Sequence, residues 1–466
     1  MKRSHLSVLL ATALMLGGCS MAPNLQIQTP ELPVQHTEEN ATAEIVTAEW
    51  WKGYNDPQLN TLIDEALRNS DDLKLAISNV NTAKALLGLS EAQRYPTLDA
   101  SASANRQKTS EESISPLGGM VYNTYGISAT LGYEHDLWGK LKNQENAALS
   151  EFTATQAERD TVRITLVSSV AEAYFNLVAI KRQIEITEQS VEAFKEGYEY
   201  RLRQHRFGEI DPMTAEQAHT LYANAKLSLE GLKESKSLNE NALALLVGRT
   251  PKEMNERTFT TVKELPHPLN IPAGIPSDLL QRRPDIRSAE ELLRAANANI
   301  GVAKAAYFPS ISLTGNIGLE SSELNRLMQN SAGVWGIGPS LNVPLFDFGR
   351  IKNQVAGAES KQESAQIQYV KSVKNAFKEV YDSLKKIESS KVKIAAQEEG
   401  RDAYVKLLDL SQTRYDAGYV DYLNVLEAKR GELDSQVNLV SLQVQMLANQ
   451  ITLYKALGGG WKSSAE

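Results

Sequence analysis

Of the chain's 466 residues, 42% are hydrophobic and 23% charged, and the formal net charge is −8. An acidic chain without basic clusters is a poor nucleic-acid binder. No apolar run reaches the roughly 18 residues that a spanning helix needs, so no transmembrane helix is expected.

The first element is a leader. Met1-Lys2-Arg3 is basic, Leu6 to Leu16 is apolar, and Gly17-Gly18 precede Cys19, the single cysteine of the chain. Residues 1–18 are read as a signal peptide. Leu16-Gly17-Gly18-Cys19 resembles a bacterial lipobox, which implies that Cys19 is diacylated, exposed by cleavage and then N-acylated. The alternative is an ordinary secretory signal with an incidental cysteine, although no second cysteine exists to pair with it. Ser20, rather than Asp, resembles the sorting signal for the outer membrane. Several acyl chains anchor more firmly than one. Residues 19–48 are Pro/Thr/Glu-rich and unpatterned, and read as a lipidated tether.

From there the chain is written twice. Asp72-Leu73, Ala83, Gly88, Ala92 and Tyr95-Pro-Thr-Leu98 align with Asp285-Ile286, Ala296, Gly301, Ala305 and Phe308-Pro-Ser-Ile311. Asp136-Leu-Trp-Gly-Lys-Leu-Lys-Asn-Gln144 aligns with Phe346-Asp-Phe-Gly-Arg-Ile-Lys-Asn-Gln354, and Leu246-Val-Gly248 with Ala456-Leu-Gly458. Two structural repeats of roughly 210 residues follow from these offsets: residues 49–250 and 277–458, with 251–276 as linker and 459–466 as tail.

Each repeat opens with a helix. The first is expected to begin at the N-cap Asp56 with Pro57 at its first position, and to run to Arg94 before Pro96 stops it. Strands about 96–108 and 122–136, and about 309–320 and 334–346, alternate with period two over ~10 residues, as membrane strands do. Leu98, Ala100 and Ala102 mark the apolar face of the first strand. Ile127, Ala129 and Leu131 mark that of the second, Leu313 and Ile317 the third, and Trp335, Ile337 and Leu341 the fourth. The opposite faces are rich in Gly, Ser, Thr and Asn, which suits a wet lumen. A soluble sandwich with one wet face is the competing reading. Pro339 and Pro344 are awkward in a central strand and mark a bend or an end.

Lys140 to about Arg206 and Arg350 to about Tyr415 contain no proline and read as helices of ~100 Å each. Ala173, Leu177, Ile180, Ile184, Val191, Phe194 and Tyr198 alternate spacings of three and four. Leu433, Val437, Val440, Val444, Leu447, Ile451 and Tyr454 do the same near the end. Such a 3.5-residue period predicts left-handed coiled-coil packing.

Four strands cannot close a barrel, and an open edge is not viable in lipid. Two chains would give eight strands with a filled interior. Three would give twelve with room for water.

Trp50-Trp51, Asp56-Pro57, Leu59, Leu62-Ile63, Ala66-Leu67 and Asp72-Leu73 resemble the opening signature of TolC/OprM-like outer-membrane factors. Leu280-Gln-Arg-Arg-Pro-Asp-Ile286, Ala295-Ala-Asn-Ala-Asn-Ile-Gly301 and Phe308-Pro-Ser-Ile-Ser-Leu313 are similar to its most specific block. The ending Ala456-Leu-Gly-Gly-Gly-Trp461 and the lipobox resemble the NodT-type efflux lipoprotein branch. The resemblance implies an α+β membrane protein: a homotrimer with a 12-stranded transmembrane β-barrel, four strands per chain, continuous with a long helical coiled-coil barrel in the periplasm. It implies an exit duct of a tripartite efflux pump in the outer membrane of a Gram-negative bacterium, fed by a periplasmic adaptor protein and an inner-membrane RND transporter. A type I protein-secretion duct and a lipid-anchored periplasmic spacer are the alternatives.

The turns between the long helices carry Gly208, Asp211 and Pro212 in one repeat and Gly418 and Asp421 in the other, good chemistry for a C-cap followed by an N-cap. The resemblance makes these turns the tips that receive the adaptor. It also matches Leu423 and Glu427 to constricting apolar and acidic residues, and Tyr415 to an aromatic that bonds the gate. Three copies of Glu427 around an axis would favour cations; a solvated helix charge is the other reading. The family acid is often Asp, which is shorter.

Nothing points to catalysis, metal or cofactor. His5, His36, His135, His205, His219 and His267 lack ligand spacing, the methionines do not cluster, and no Gly-rich phosphate loop occurs. Ser383-x-x-Lys386 and Ser390-x-x-Lys393 match a short nucleophile pattern by chance and are expected on a charged helix face.

Overall fold

The computed structural model describes residues 20–30, 49–112, 119–256, 265–269 and 283–459. The signal peptide, Cys19, most of the 251–276 linker, Leu280 to Arg282 and the tail after 459 lie outside the described residues.

The described helices are α1 (Pro57–Asn69), α2 (Asp71–Ala92), α3 (Lys140–Arg206), α4 (Pro212–Leu246), α5 (Pro251–Asn255), α6 (Pro284–Ala305), α7 (Arg350–Asp416) and α8 (Tyr422–Ala456). The strands are β1 (Thr97–Lys108), β2 (Val121–His135), β3 (Ser310–Ser321) and β4 (Gly333–Asn342). The duplication is visible in the lengths: α3 and α7 both have 67 residues, α4 and α8 both 35, α2 and α6 both 22, and β1 and β3 both 12. Gly139 and Gly349, the counterparts that precede α3 and α7, both take positive φ, which glycine adopts at little cost.

The described residues fall into two compact units, one drawn from the ranges 20–29, 79–156 and 288–370 and the other from 49–78, 157–287 and 371–459. Among the described residues, the first unit holds an antiparallel sheet of order β1-β2-β3-β4.

The core of the second unit begins at a 3-10 turn, Trp50–Tyr54. Trp50 stacks on Tyr454, with centroids 5.0 Å apart and planes 6° from parallel. Helix α1 presents Leu59, Leu62, Ile63 and Ala66 to this core, spaced as one helical face. Asp56 caps α1 through the N–H groups of Gln58 and Leu59, and its other oxygen accepts from the Tyr174 hydroxyl at 2.6 Å.

Several sequence expectations need correction. The first helix is broken at Ser70, which has extended backbone and is buried. The run Asn69-Ser70-Asp71 lets side chains compete for main-chain bonds, and so favours a break. The last strand ends at Asn342, not near 346, so Pro344 lies beyond it. Pro339 sits inside β4 opposite Leu313, so it marks neither a strand end nor a break in the pairing. The seam of α3 is wider than the 3.5-residue stripe, since Val167, Val170, Ala171, Tyr174, Phe175 and Val178 are also buried in the core. One 18-residue window of α3 is, against expectation, long and apolar enough to cross a membrane; 56% of it is buried within the chain, so the core explains its composition. Ser383 and Ser390 are buried rather than on a solvated face. Ser383 Oγ donates to Glu379 O, and Ser390 Oγ accepts from Asn449 Nδ2 at 3.0 Å, while Lys386 and Lys393 are exposed.

Candidate functional site: the sheet and the helix tips

The register turns the period-two pattern into a surface. Leu98 faces Leu131, Ala100 faces Ala129 and Ala102 faces Ile127; Ala129 then faces Ile317, which faces Trp335. Leu131 lies opposite Gly315, and Gly315 opposite Ile337. Alternation places all of these on one side. Within the chain this side is bare: Leu98 is 72% exposed, Ile317 67% and Trp335 78%. An apolar face of that extent has no place in water.

The other face carries Thr97, Asp99 and Ser101, then Thr130 and Ser128, then Asn316, Gly318 and Gly336. Ser101 and Ser128 hydroxyls meet at 3.0 Å, and Ser312 and Ser340 at 2.8 Å. Gly318 is required by packing: a Cβ there would lie 2.4 Å from Ile127 O. At the junctions of strands and helices, Trp138 stacks on Phe308 at 4.6 Å and Phe346 meets Phe348 edge to face at 4.5 Å. Such aromatics suit a membrane–water boundary.

In the second unit, the tips are turns between paired helices. Gly208 (φ 75°) and Gly418 (φ 77°) end α3 and α7 in the left-handed region, and the N–H groups of Glu209 and Tyr419 bond back to Gln204 O and Arg414 O, a helix-ending motif. Asp211 caps α4 by accepting from Thr214 N at 3.2 Å. Its bond from the Thr214 hydroxyl, 2.9 Å, holds its carboxyl below the usual range. Asp421, expected to repeat this, occupies the N-cap position without a side-chain cap. There Asn424 turns both its N–H and its Nδ2 to Asp421 O.

Tyr415 belongs to a packed cluster with Ala218, Tyr422, Val425 and Leu426. Arg201, which is 5% exposed, reaches it from α3. Its Nη1 donates to Tyr415 Oη at 2.7 Å and to Gln204 Oε1 at 2.6 Å. Its guanidinium carbon lies 3.8 Å from the Tyr422 ring centroid and 4.8 Å from that of Tyr415, within cation–π range. Lys429 is held below the usual lysine range by burial and by the Arg201 charge.

Leu423 and Glu427 lie one turn apart on α8 and are exposed, whereas Tyr422, Val425, Leu426 and Ala428 face inward. The exposed stripe continues through Arg430, Asp434, Asn438, Ser441 and Gln445. The tip thus has a packed side built on Arg201 and Tyr415, and a bare side carrying Leu423 and Glu427. Sequence reading missed Arg201, Tyr422 and Lys429. The signal for Arg201 was available, because it continues the apolar stripe Val191, Phe194, Tyr198 as a cation at a seam position.

A sheet bare on its apolar side and hairpins of very long helices suit an outer-membrane channel. Residues 62–249 and 275–459 match the profile of the family described as "Outer membrane efflux protein". The chain is 36% identical over 97% of both sequences to the solvent efflux pump outer membrane protein SrpC of Pseudomonas putida. It is 35% identical, again over 97% of both, to the cation efflux system protein CusC of Escherichia coli O6:H1. The Campylobacter jejuni CmeC outer membrane channel superposes with a TM-score of 0.87 at 28% identity, covering 96% of each chain. The chain belongs to the outer membrane efflux protein family, whose members are channels rather than enzymes.

Proposed function

We propose that three copies of the chain form the exit duct of a tripartite efflux pump, passing small toxic compounds from the periplasm to the outside. The sheets of the three copies close a 12-stranded barrel in the outer membrane, continuous with a coiled-coil helical barrel in the periplasm, and the two repeats (49–250 and 277–458) contribute equally. Cys19 carries the lipid anchor. The observation that carries this reading is the four-stranded sheet, apolar on one side, with β1 and β4 as its two edges. Lipid leaves such edges only one remedy, pairing with the next copy.

In this reading Gly208, Asp211, Gly418 and Asp421 form the tips that meet a periplasmic adaptor, behind which stands an RND transporter in the inner membrane. Tyr415 ties the closed tip, and Leu423 and Glu427 narrow it. Their exposure on one side of α8 supports that placement. Relatives named for solvent and for cation efflux support a cargo of small toxic compounds, with selection made by the transporter.

Planar-bilayer recording of the purified protein tests the duct. Ion conductance that prefers cations, with that preference lost in Glu427→Ala, is expected; absence of conductance in wild type and in tip-loosened variants would favour a spacer. Crosslinking from tip positions separates efflux from protein secretion: capture of an ABC-type secretion partner in place of an RND adaptor would move the function to protein export.

A further inference from the structure

Residues 20–29 have no regular secondary structure, yet three points of the first unit hold them. Ser20 Oγ donates to Asn143 Oδ1 at 3.1 Å and accepts from Ala22 N at 3.3 Å. Asn297 Nδ2 on α6 donates to Pro23 O at 2.9 Å. On α7 the Gln366 amide serves both main-chain groups of Gln28, accepting its N–H at 3.4 Å and donating to its O at 2.9 Å. Gly301 opens the notch. A Cβ there would lie 2.7 Å from Ala22 N and 2.5 Å from Asn143 Nδ2.

Asn143 is 1% exposed, and its Oδ1 is taken by Ser20, while its Nδ2 is buried without an acceptor. An amide donor left unpaired in an interior is costly and calls for an explanation. The repeat itself does not demand it: Asn353, the counterpart in the motif that opens α7, is exposed. The burial of Asn143 belongs to the docked N-terminal strap, and its free donor lies where Ser20 docks, one residue after the acylation site.

We propose that Asn143 and the Gly301 notch are a seat for the acylated N-terminus, in which Asn143 Nδ2 donates to the amide carbonyl of an N-acylated cysteine. A free N-terminal ammonium would set donor against donor, so the seat favours the fully acylated form. This rests on the lipoprotein reading above.

Amide hydrogen exchange of the 20–29 peptide, read by mass spectrometry on protein purified from outer membranes, tests the seat. Asn143→Asp keeps the acceptor for Ser20 and loses the donor, so it should speed exchange roughly fivefold, what one neutral hydrogen bond is worth. A Cys19→Ala protein exported behind an ordinary cleavable secretory leader, and so unacylated, should match it, and the two changes together should go no further. Asn143→Ala loses the Ser20 bond as well and should exchange faster than either, while Asn353→Ala should exchange as wild type. Unchanged α3 exchange shows that each variant is folded. Wild-type exchange in Cys19→Ala, or an Asn143→Asp effect that adds to it, overturns the seat alone. A wild-type N-terminal peptide without acyl groups overturns the lipoprotein reading and the seat with it.

Discussion

Arg283 Nη1 donates to the main-chain oxygen of Ala456 at 2.9 Å, tying the residue just before α6 to the last residue of α8. The same guanidinium forks onto Asp285 at 3.0 and 2.8 Å and meets Glu379 of α7 at 2.8 Å. It answers an orphan carbonyl at a helix C-terminus with a cation. Its partners hold its pKa above the usual range against the cost of burial. Asp285 and Glu379 are 36% and 49% exposed, so water can rescue them when Arg283 is lost. Arg283→Ala should therefore cost about 2 kcal/mol, below the range for a fully buried pair. Arg283→Lys should recover only part, because an ammonium cannot fork. Thermal unfolding in detergent measures both; an Arg283→Lys protein as stable as wild type would refute the fork.

The same corner in the first repeat is closed differently. Gly248, the counterpart of Gly458, has φ 72°, and a Cβ on it would lie 2.2 Å from Asn69 O. Gly208 and Gly418 share the left-handed backbone but have open space around them. Gly208→Ala and Gly418→Ala should each cost about 1 kcal/mol, the backbone term alone. Gly248→Ala should cost several-fold more or fail to fold, since backbone atoms must move. Equal losses at all three positions would mean that the close approach to Asn69 is absent.

Tyr54, Tyr174 and Tyr454 sit in the core of the second unit. Burial raises the pKa of all three, reinforced for Tyr174 by its bond to Asp56 and for Tyr54 by the nearby Tyr454. A folded pKa above the unfolded one gives stability that is complete below the unfolded value, about 10 for tyrosine, and is lost as pH rises beyond it. Unfolding temperature should thus show no pH dependence from these groups up to about pH 10 and a fall above it. Tyr174→Phe should flatten that fall. A phenolate signal from all tyrosines near pH 10 in the folded protein would contradict the burial.

At the tip, Tyr415→Phe removes the hydroxyl that Arg201 Nη1 serves. A hydrogen bond to a charged donor contributes about 1.5–3 kcal/mol. Single-channel recording should show a larger open fraction in Tyr415→Phe, and Arg201→Gln should act in the same direction. Closed behaviour identical to wild type in both would separate this contact from gating.

Much of the architecture was legible because it is written twice. The matched motifs at Asp136 and Phe346 foretold that α3 and α7 begin at Lys140 and Arg350, and Gly208 and Gly418 marked where the hairpins turn. What failed to show lacks periodicity. The break at Ser70 falls in a short run of weak helix formers, Asn69-Ser70-Asp71, and β4 stops short of Pro344 without any change in its alternation. The strap at residues 20–29 is held by amides of Asn297 and Gln366, distant in sequence. Arg201 is the exception: it continues an apolar stripe as a cation, but nothing in the sequence marks its partners, two tyrosines and Gln204 rather than a carboxylate.

The number of copies that close the sheet can be read by pairing its edges. Cys19 is the only native cysteine, so a cysteine on β1, such as Ser103→Cys, together with one scanned along β4 from Val334 to Leu341, reports the seam cleanly. Oxidised membranes should give, at one register, a ladder of covalent dimers and trimers that stops at three. A ladder ending at two, continuing past three, or absent at every register would contradict a trimeric duct.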